Sequence, residues 1–411
     1  MRLYFLLIRI AALLGHRKAK LLTAGQRQAR ALLRSEKAFE PGEWIWFHAA
    51  SVGEFEQARP IIEKLRNTEK HRNYKILVTF FSPSGYELRK NYDLADKVMY
   101  LPFATRRNAK RFLDALQPKM AIFVKYEFWP AYLRQLHKRQ IPTYLISGIF
   151  RPKQLFFRPW GGWYRRLLRY FTYLFVQNNE SAELLRGIGL SNVTVAGDTR
   201  FDRVKEIAER SKQIPVVEHF IKPSSNGIFQ LPDTPVIVAG STWVPDEVLL
   251  AKYLDEHEDV KLILVPHEID ESHLHMVFQI FQGRYVRFTE ATPLNLNHVR
   301  VLVIDTVGLL SSIYRYGQVA YVGGGFGVGI HNTLEPAVFG MPVLFGPNYQ
   351  HFREAKGLAA CGAGLPVKDY ETFAAAMDNA LEQHAELGAK AKEYIAAELG
   401  ATDCIYNQLF K

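Results

Sequence analysis

The chain of 411 residues is poor in cysteine and in long apolar runs, and both shortages limit its class. Cys361 and Cys404 are too few for a disulfide framework or a cysteine metal cluster, which suits a reducing compartment. The apolar start, MRLYFLLIRIAALLG, is too short for a membrane span and is interrupted by Arg2 and Arg9. It lacks a small-residue cleavage site, so we expect no signal peptide.

Acidic residues are also in deficit, with 41 against 52 basic ones and a net charge of +11. A basic protein favours an anionic partner, such as a phosphate-bearing substrate, an anionic lipid surface or a nucleic acid. Hydrophobic residues make up 48% and charged residues 23% of the chain, which is typical of a globular protein. The length exceeds what one core usually holds, so we expect two domains.

Residues 1–21 predict an apolar and basic helix that associates with a membrane. Its apolar part is followed by a run of cations: Arg17, Lys18, Lys20, Arg27, Arg30, Arg34 and Lys37. An apolar helix followed by cations is typical of a one-sided anchor on an anionic cytoplasmic leaflet. We therefore expect the chain to associate with an anionic cytoplasmic leaflet, and the family resemblance given below implies the cytoplasmic face of an inner membrane. The alternative is a plain surface helix packed on its domain.

Short apolar runs alternate with helical patterns along the rest of the chain, which predicts parallel, doubly wound sheets. The alternation pauses where Pro, Ser, Asn and Gly accumulate and then restarts. We predict a first Rossmann-like domain over 22–212, a linker over 213–233 and a second Rossmann-like domain over 234–411. The two are expected to face a central cleft, and the terminal helices can pack back on the first domain.

A glycine-rich stretch, GGGFGVGIHNTLEPAVFGMPVLFGP, follows the apolar run Val319–Val322. Glycines let the backbone approach a ligand closely. HNTLEPAVFG predicts a helix capped by Asn332 or Thr333, whose free N–H groups and dipole suit a phosphate. The alternative is an ordinary turn between a strand and a helix. His331, Asn332 and Glu335 cluster at this helix start, and Glu335 is placed to accept hydrogen bonds from ribose hydroxyls.

Three further strand ends carry polar residues, within HAASVGE at 48–54, KYEFWP at 125–130 and GSTW at 240–243. Open α/β sheets bind ligands beyond the carboxyl ends of their strands. Glu54 and Glu127 each begin a predicted helix, where the dipole favours a charged carboxylate. Each could alone be a helix cap, but four such ends in two domains favour a functional site.

Residues 149–171, IFRPKQLFFRPWGGWYRRLLRYF, interleave cations with aromatic rings. This pattern suits a surface that meets phosphorylated lipid. It also suits single-stranded nucleic acid, and the alternative to both is a packed amphipathic helix. Its place in the first domain, together with the N-terminal helix, favours the lipid interpretation, with no nucleic acid partner.

These stretches together resemble a known family. HAASVGEFEQARPII, VTFFSPSGYE, KYEFWPAYLRQLHKRQIP, AGDTRFD, GSTW and GIHNTLEPAVFGMPVLFGP fall in the order seen in the 3-deoxy-D-manno-octulosonic acid (Kdo) transferases of lipopolysaccharide synthesis. The resemblance implies a GT-B glycosyltransferase that is inverting and metal-independent, and that uses no cofactor. It implies transfer of Kdo from CMP-Kdo to a lipid A precursor. The absence of an Asp-x-Asp motif at a strand end agrees with the expected lack of a metal.

The resemblance also implies roles for individual residues. Glu54 would be the general base, and Glu127 the acidic residue of the E-x-W-P motif. The implied donor-binding residues are Ser241, Thr242, His267, Gly324, Gly325, His331, Asn332 and Glu335. The residues expected to face the acceptor or its lipid are Ser51, Gly53, Arg151, Arg158, Trp160 and Arg165.

The chain departs from the family pattern at two places. His267-Glu268 stands where relatives often have Arg-His, which weakens the expected anion contact there. Lys125-Tyr126 stands where relatives often show Met-Glu-Thr, and Lys125 is given no role. Two alternative functions remain: another GT-B enzyme using a UDP-sugar, either an N-acetylglucosaminyl transferase or an epimerase, and a non-enzymatic basic membrane- or nucleic-acid-binding module.

Overall fold

The structure is a computed structural model that describes residues 2–35, 38–222 and 234–411. It divides into two compact units: residues up to Arg203 together with Leu399–Lys411, and Val204–Glu398. The second unit thus begins before the predicted linker at 213–233. The reason is a helix over Pro215–Ile221, whose Val217 and Phe220 are buried in the second unit's core. Residues 223–233 of the predicted linker lie outside the described residues.

The first unit is a seven-stranded parallel sheet with helices on both faces. Its helices are α1 Arg2–Leu13, α2 Arg17–Leu32, α3 Val52–Asn67, α4 Pro83–Arg89, α5 Arg106–Leu116, α6 Pro130–Lys138, α7 Gly162–Leu168, α8 Asn179–Gly187 and α9 Thr199–Glu209, which crosses into the second unit. Its strands are β1 Trp44–Ala49, β2 Lys75–Phe80, β3 Lys97–Tyr100, β4 Met120–Val124, β5 Thr143–Gly148, β6 Tyr173–Val176 and β7 Val193–Val195.

The second unit repeats this architecture with another seven-stranded parallel sheet. Its helices are α10 Pro215–Ile221, α11 Val244–Glu256, α12 Glu271–Ile280, α13 Pro293–Leu296, α14 Leu310–Ile313, α15 Leu334–Ala337, α16 Arg353–Ala360, α17 Tyr370–Glu382 and α18 His384–Ala397. Its strands are β8 Val236–Thr242, β9 Lys261–Pro266, β10 Tyr285–Arg287, β11 Val301–Val303, β12 Val319–Val322, β13 Val343–Phe345 and β14 Gly364–Pro366.

Strand order places the candidate residues at the centre of each sheet. The first sheet runs β3-β2-β1-β4-β5-β6-β7, and the second runs β10-β11-β9-β8-β12-β13-β14. The crossovers change direction between β1 and β4 in the first sheet and between β8 and β12 in the second. Side chains that follow these strands therefore lie at the topological switch points, where open α/β sheets bind ligands. Helices cover both faces, so the central strands β1, β4 and β9 are buried along their whole length.

Two helices occupy the region predicted as one N-terminal helix over 1–21. Gly15, with φ +97°, ends the first, and the His16 imidazole caps the second by accepting from the Ala19 N–H. The second helix packs firmly, since Gln26 pairs with the backbone of Leu101 and Phe103. Among the residues that the structure describes, no helix combines the length and the apolar character needed to cross a bilayer.

A last helix, α19 Ala401–Leu409, returns to the first unit. Ile405 and Tyr406 are buried against its core. The carboxylate of Asp202 accepts from the N–H groups of Gly400 and Thr402, both at 2.7 Å, and so satisfies free donors at the start of α19.

The helix predicted from HNTLEPAVFG is much shorter than its apolar pattern suggests. Only α15, Leu334–Ala337, is helical, because the chain turns at Gly340 with φ +77° before it enters β13. Asn332 accepts from the Leu334 N–H at 3.1 Å, while the Thr333 side chain makes no cap bond. A helix of four residues has little dipole, so the helix dipole no longer supports the predicted phosphate site at its start.

Candidate functional site

The SVGE turn in the first unit folds Glu54 back onto the end of β1. Ser51 begins α3 and its hydroxyl accepts from the Glu54 N–H at 3.4 Å. In return, the Glu54 carboxylate accepts from the Ala50 N–H at 2.6 Å. These reciprocal bonds resemble a capping box and fix the carboxylate at the switch point. Ser51 is half-buried as this cap, and Gly53 is exposed beside it.

Glu54 binds protons more tightly than its position at a helix start predicts. Burial raises its pKa to about 7, and the nearby Glu127 carboxylate adds to the rise. The Ala50 N–H, His48 and Lys125 oppose the rise but do not cancel it. Burial therefore opposes the helix dipole, which was expected to favour the charged form of Glu54. A carboxylate that titrates near neutral pH is well matched to general base catalysis.

Glu127 lies buried at the end of β4 and is bound on one oxygen by two donors. Its Oε2 lies 2.8 Å from His48 Nε2 and 2.5 Å from Trp129 Nε1. The other imidazole nitrogen, His48 Nδ1, lies 3.0 Å from the Thr79 carbonyl oxygen. His48 Nδ1 also lies 2.9 Å from the Thr79 hydroxyl oxygen, so Thr79 holds one edge of the ring while Nε2 faces Glu127.

Sequence reasoning gave His48 no role, although it lies in the HAASVGE motif. The feature that could have indicated a role for His48 was its place as a polar residue in β1, a strand whose residues are all buried. His48 is in register with Thr79 on β2, which supplies its second hydrogen bond. Lys125, which also had no predicted role, has φ +60° and a charge that lowers the pKa of Glu54.

In the second unit, close backbone contacts explain most of the glycine run. A Cβ on Gly323 would lie 2.3 Å from the Ser241 carbonyl oxygen, and one on Gly325 would lie 2.6 Å from Gly346. These two glycines serve packing between loops. Gly324, with φ +89°, is the glycine of the three that lines a cavity. Its N–H donates to the buried carboxylate of Asp246 at 3.0 Å, which fixes the loop.

That cavity has a volume of about 490 Å³ and is walled largely by rings and by the glycine loop. Trp243, Phe326, His331 and Phe352 line it. The His267 ring stacks on the His331 ring at a centroid distance of 4.2 Å, so the predicted donor residues His267 and His331 come together. Burial, with His267 nearby, lowers the pKa of His331 to about 4, so His331 is neutral at physiological pH. Sequence reasoning missed Trp243 and Phe352.

The other predicted donor residues are engaged in local bonds. The Thr242 hydroxyl donates to the buried Glu247 carboxylate at 3.0 Å, and Asn332 donates to Glu335 at 2.9 Å. Ser241 has φ +55° where β8 loses its regular register with β9. Thr242 is fully buried, so its side chain supports the loop rather than facing the cavity.

The basic aromatic segment 149–171 forms one wall of a cavity of about 750 Å³, here called the aromatic pocket. Glu127, Trp129, Phe156 and Leu167 line it, together with Lys153 and Trp163. Of the predicted lipid-facing residues, Arg151, Arg158 and Trp160 are exposed residues of this segment. Arg165 differs, because its guanidinium donates to the carbonyls of Phe156, Arg158 and Pro159 and so stabilises the loop.

Residues 18–203, which form nearly all of the first unit, match the family described as 3-deoxy-D-manno-octulosonic-acid transferase (kdotransferase). The first unit of the chain is thus similar to the Kdo transferases. A relative from Aquifex aeolicus named 3-deoxy-D-manno-octulosonic acid transferase is 29% identical over 79% of this chain and 82% of its own length. A relative of the same name from Rickettsia bellii is 26% identical over 90% of this chain and 85% of its own.

The fold of the two units is that of a GT-B glycosyltransferase. The UDP-GlcNAc 2-epimerase of Neisseria meningitidis, solved bound to UDP-GlcNAc, matches with a TM-score of 0.61. The match covers 89% of this chain and 99% of the epimerase at 14% identity. At that identity the likeness concerns the fold alone. The prediction of two Rossmann-like sheets is confirmed.

We predict that Glu54 titrates with a pKa of about 7 and that His48→Gln raises this pKa further. Glutamine can still donate to Glu127 but carries no charge, so the effect by which His48 lowers the Glu54 pKa is lost. Carbon-detected NMR titration of labelled glutamate carboxyls measures both values. His71→Gln, which removes a buried histidine that does not perturb Glu54, is the matched control. A Glu54 pKa near the ordinary 4.5, or no change in His48→Gln, would contradict the assignment.

Proposed function

We propose that the chain transfers Kdo from CMP-Kdo to a lipid A precursor of the lipid IVA type, with Glu54 as the general base and without a metal. The observation that carries this proposal is a carboxylate with a pKa of about 7 at the switch point of the first sheet. The match of residues 18–203 to the Kdo transferase family suggests the donor and acceptor classes. The aromatic cavity of the second unit suits a pyrimidine nucleotide, because rings stack on bases.

The first unit is assigned the deprotonation of the acceptor. An acceptor hydroxyl gives its proton to Glu54 as its oxygen forms a bond to the anomeric carbon of Kdo. The bond from that carbon to the cytidylate oxygen breaks, and its electron pair leaves with CMP. Since Glu54 takes a proton and forms no covalent bond with the sugar, a single displacement inverts the anomeric centre.

The hydrogen bond between His48 and Glu127 supports this role for Glu54. The Glu127 charge raises the pKa of Glu54 and His48 lowers it, so the histidine offsets part of the effect of the second carboxylate. The free Oε1 atom of Glu127 is then available to orient an acceptor hydroxyl.

The second unit is assigned the binding of CMP-Kdo. Trp243 donates to His331 Nε2 at 3.4 Å, so the neutral imidazole carries its hydrogen on Nδ1 and offers one N–H to an anion. Departure of the cytidylate places negative charge on phosphate oxygens, which such donors stabilise. His267, stacked on His331, stands where relatives often have a cation, and a neutral ring there binds an anion less tightly.

A UDP-sugar enzyme is the second candidate, favoured by the fold shared with the epimerase. The family match favours a cytidylate donor instead. Calorimetric titration with CMP and with UDP separates the candidates, since tighter binding of UDP would support the second and contradict the first.

We predict that Glu54→Gln lowers CMP release from CMP-Kdo and a tetraacyl lipid A precursor by about 10²–10⁴-fold, the usual contribution of a general base. Glutamine preserves size but cannot take a proton. Glu56→Gln, two residues along the same helix, is the matched control and should release CMP at the wild-type rate. Wild-type turnover in Glu54→Gln would remove Glu54 from the base role, and no release by the wild type would end the proposal.

We also propose that α1 holds the enzyme on the cytoplasmic face of the inner membrane. Leu7, Ile10, Leu13 and Leu14 expose apolar side chains on or next to α1, and α2 follows with its cations. Such a pair suits the interface of an anionic leaflet.

We predict that the protein floats with vesicles containing anionic phospholipid and floats less at high salt, because salt screens its cations. The double variant Leu13→Asp and Leu14→Asp should lose flotation. Leu88→Asp, which charges an exposed leucine on α4, is the control and should float as the wild type does. Equal flotation of the double variant, or none by the wild type, would contradict the assignment.

A further inference from the structure

The aromatic pocket is an open and largely apolar cavity in the first unit. It lies between the turn that follows β4 and the segment 149–171. Phe128 and Phe156 meet at its wall with ring centroids 5.0 Å apart, and Phe156 is buried. Protein interiors leave few voids larger than a water molecule, whereas ligand pockets are concave and mostly apolar. A cavity of about 750 Å³ is therefore a candidate binding site.

The wall of the pocket is mostly aromatic and aliphatic, and two of its polar oxygen atoms already have partners. The Glu127 Oε2 atom is held by His48 and Trp129, and Gln154 Oε1 accepts from the Arg151 N–H at 3.1 Å. A sugar or a base would leave polar atoms without partners there, which is costly. A hydrocarbon chain has no such need, so the wall favours an aliphatic occupant.

The surface around the pocket joins exposed apolar side chains to cations. Leu155, Trp160 and Trp163 are 46%, 73% and 51% exposed, within nine residues of chain. Lys153 lines the pocket, and the charge of Arg151 acts on Tyr126 of its wall. Exposed apolar groups rimmed by cations fit a lipid with an anionic head group better than a soluble sugar.

We propose that the aromatic pocket holds one fatty acyl chain of the phosphorylated acceptor lipid, with Lys153 and Arg151 facing its phosphate. The proposal rests on the proposed function and adds the acceptor's binding site to it. Tyr126 and Glu127 line the pocket, and the charge of Glu54 acts on Tyr126. A chain held there therefore brings the head group of the lipid close to the base.

Binding of a single-chain probe tests the pocket without any transfer reaction. Dodecyl phosphate, below its critical micelle concentration and without donor, should bind the full-length protein in a calorimetric titration. Leu155→Asp places a charge at the mouth of the pocket and should weaken binding at least about tenfold. Leu88→Asp is the matched control, and Trp163→Ala is a second variant at an exposed position. Equal unfolding midpoints for these variants show that each is folded.

Four outcomes would overturn the pocket assignment. The first is that the wild type binds no dodecyl phosphate. The second is that Leu155→Asp and Trp163→Ala both bind it as tightly as the wild type does. The third is that binding survives in Leu155→Asp but is lost in Leu7→Asp, which would place the acyl chain in the groove of about 500 Å³ beside α1. Inorganic phosphate binding as tightly as dodecyl phosphate would also contradict a role for the chain.

A transfer assay with two acceptors separates this inference from the proposed function. Leu155→Asp should raise the KM for the tetraacyl acceptor at least about tenfold while leaving a fully deacylated acceptor unaffected. If dodecyl phosphate binding follows the pattern above but the wild type transfers Kdo to neither acceptor, the proposed function fails and the acyl site stands.

Discussion

The hydrogen bond between His48 and Glu127 controls the chemistry assigned to this protein. It holds a second carboxylate in a buried site beside Glu54, and His48 offsets part of the rise that this carboxylate causes in the Glu54 pKa. Thr79 holds the other edge of the imidazole, since its carbonyl and hydroxyl oxygens lie 3.0 and 2.9 Å from Nδ1. Trp129 holds the same oxygen of Glu127 from the other side. Without His48 the Glu127 charge would act on Glu54 unopposed by the histidine, and the Glu54 pKa would be higher still.

Each unit uses the same feature of an α/β sheet for a different purpose. At the β1/β4 switch point the first unit presents titratable side chains, while at the β8/β12 switch point the second presents a loop and a group of stacked rings. The second unit also has a buried carboxylate paired with histidine, Glu247 with His273 at 2.9 Å, but this pair supports Thr242 beneath the loop. A carboxylate paired with a histidine is thus assigned to catalysis in the first unit and supports the geometry of a loop in the second unit.

The sequence predicted much of this arrangement because its main signals are local. Apolar runs such as Trp44–Ala49 mark strands buried on both faces, and S-x-x-E after a strand marks a capped helix. The carboxyl ends of parallel strands lie at one edge of a sheet, and Glu54 and Glu127 were both predicted to follow such strand ends. The short motifs, taken in order, indicated the family.

What the sequence did not predict depends on distant contacts. The pKa of Glu54 follows from burial and from a neighbour 73 positions along the chain, which no local pattern encodes. Two glycines of the 323–325 run are required by backbone from other loops. The 149–171 segment also forms one wall of an open cavity, because Phe156 and Leu167 pack inward, and the local pattern of cations and rings did not indicate that cavity.

The dependence of kcat/KM on pH, measured for the wild type with CMP-Kdo and a tetraacyl acceptor, tests the central claim most directly. A base must be deprotonated to act, so activity should rise with pH through one ionisation centred at about 7. A profile that is flat across this range, or that rises near the ordinary glutamate pKa of 4.5, would show that Glu54 in this environment is not the group that accepts the proton.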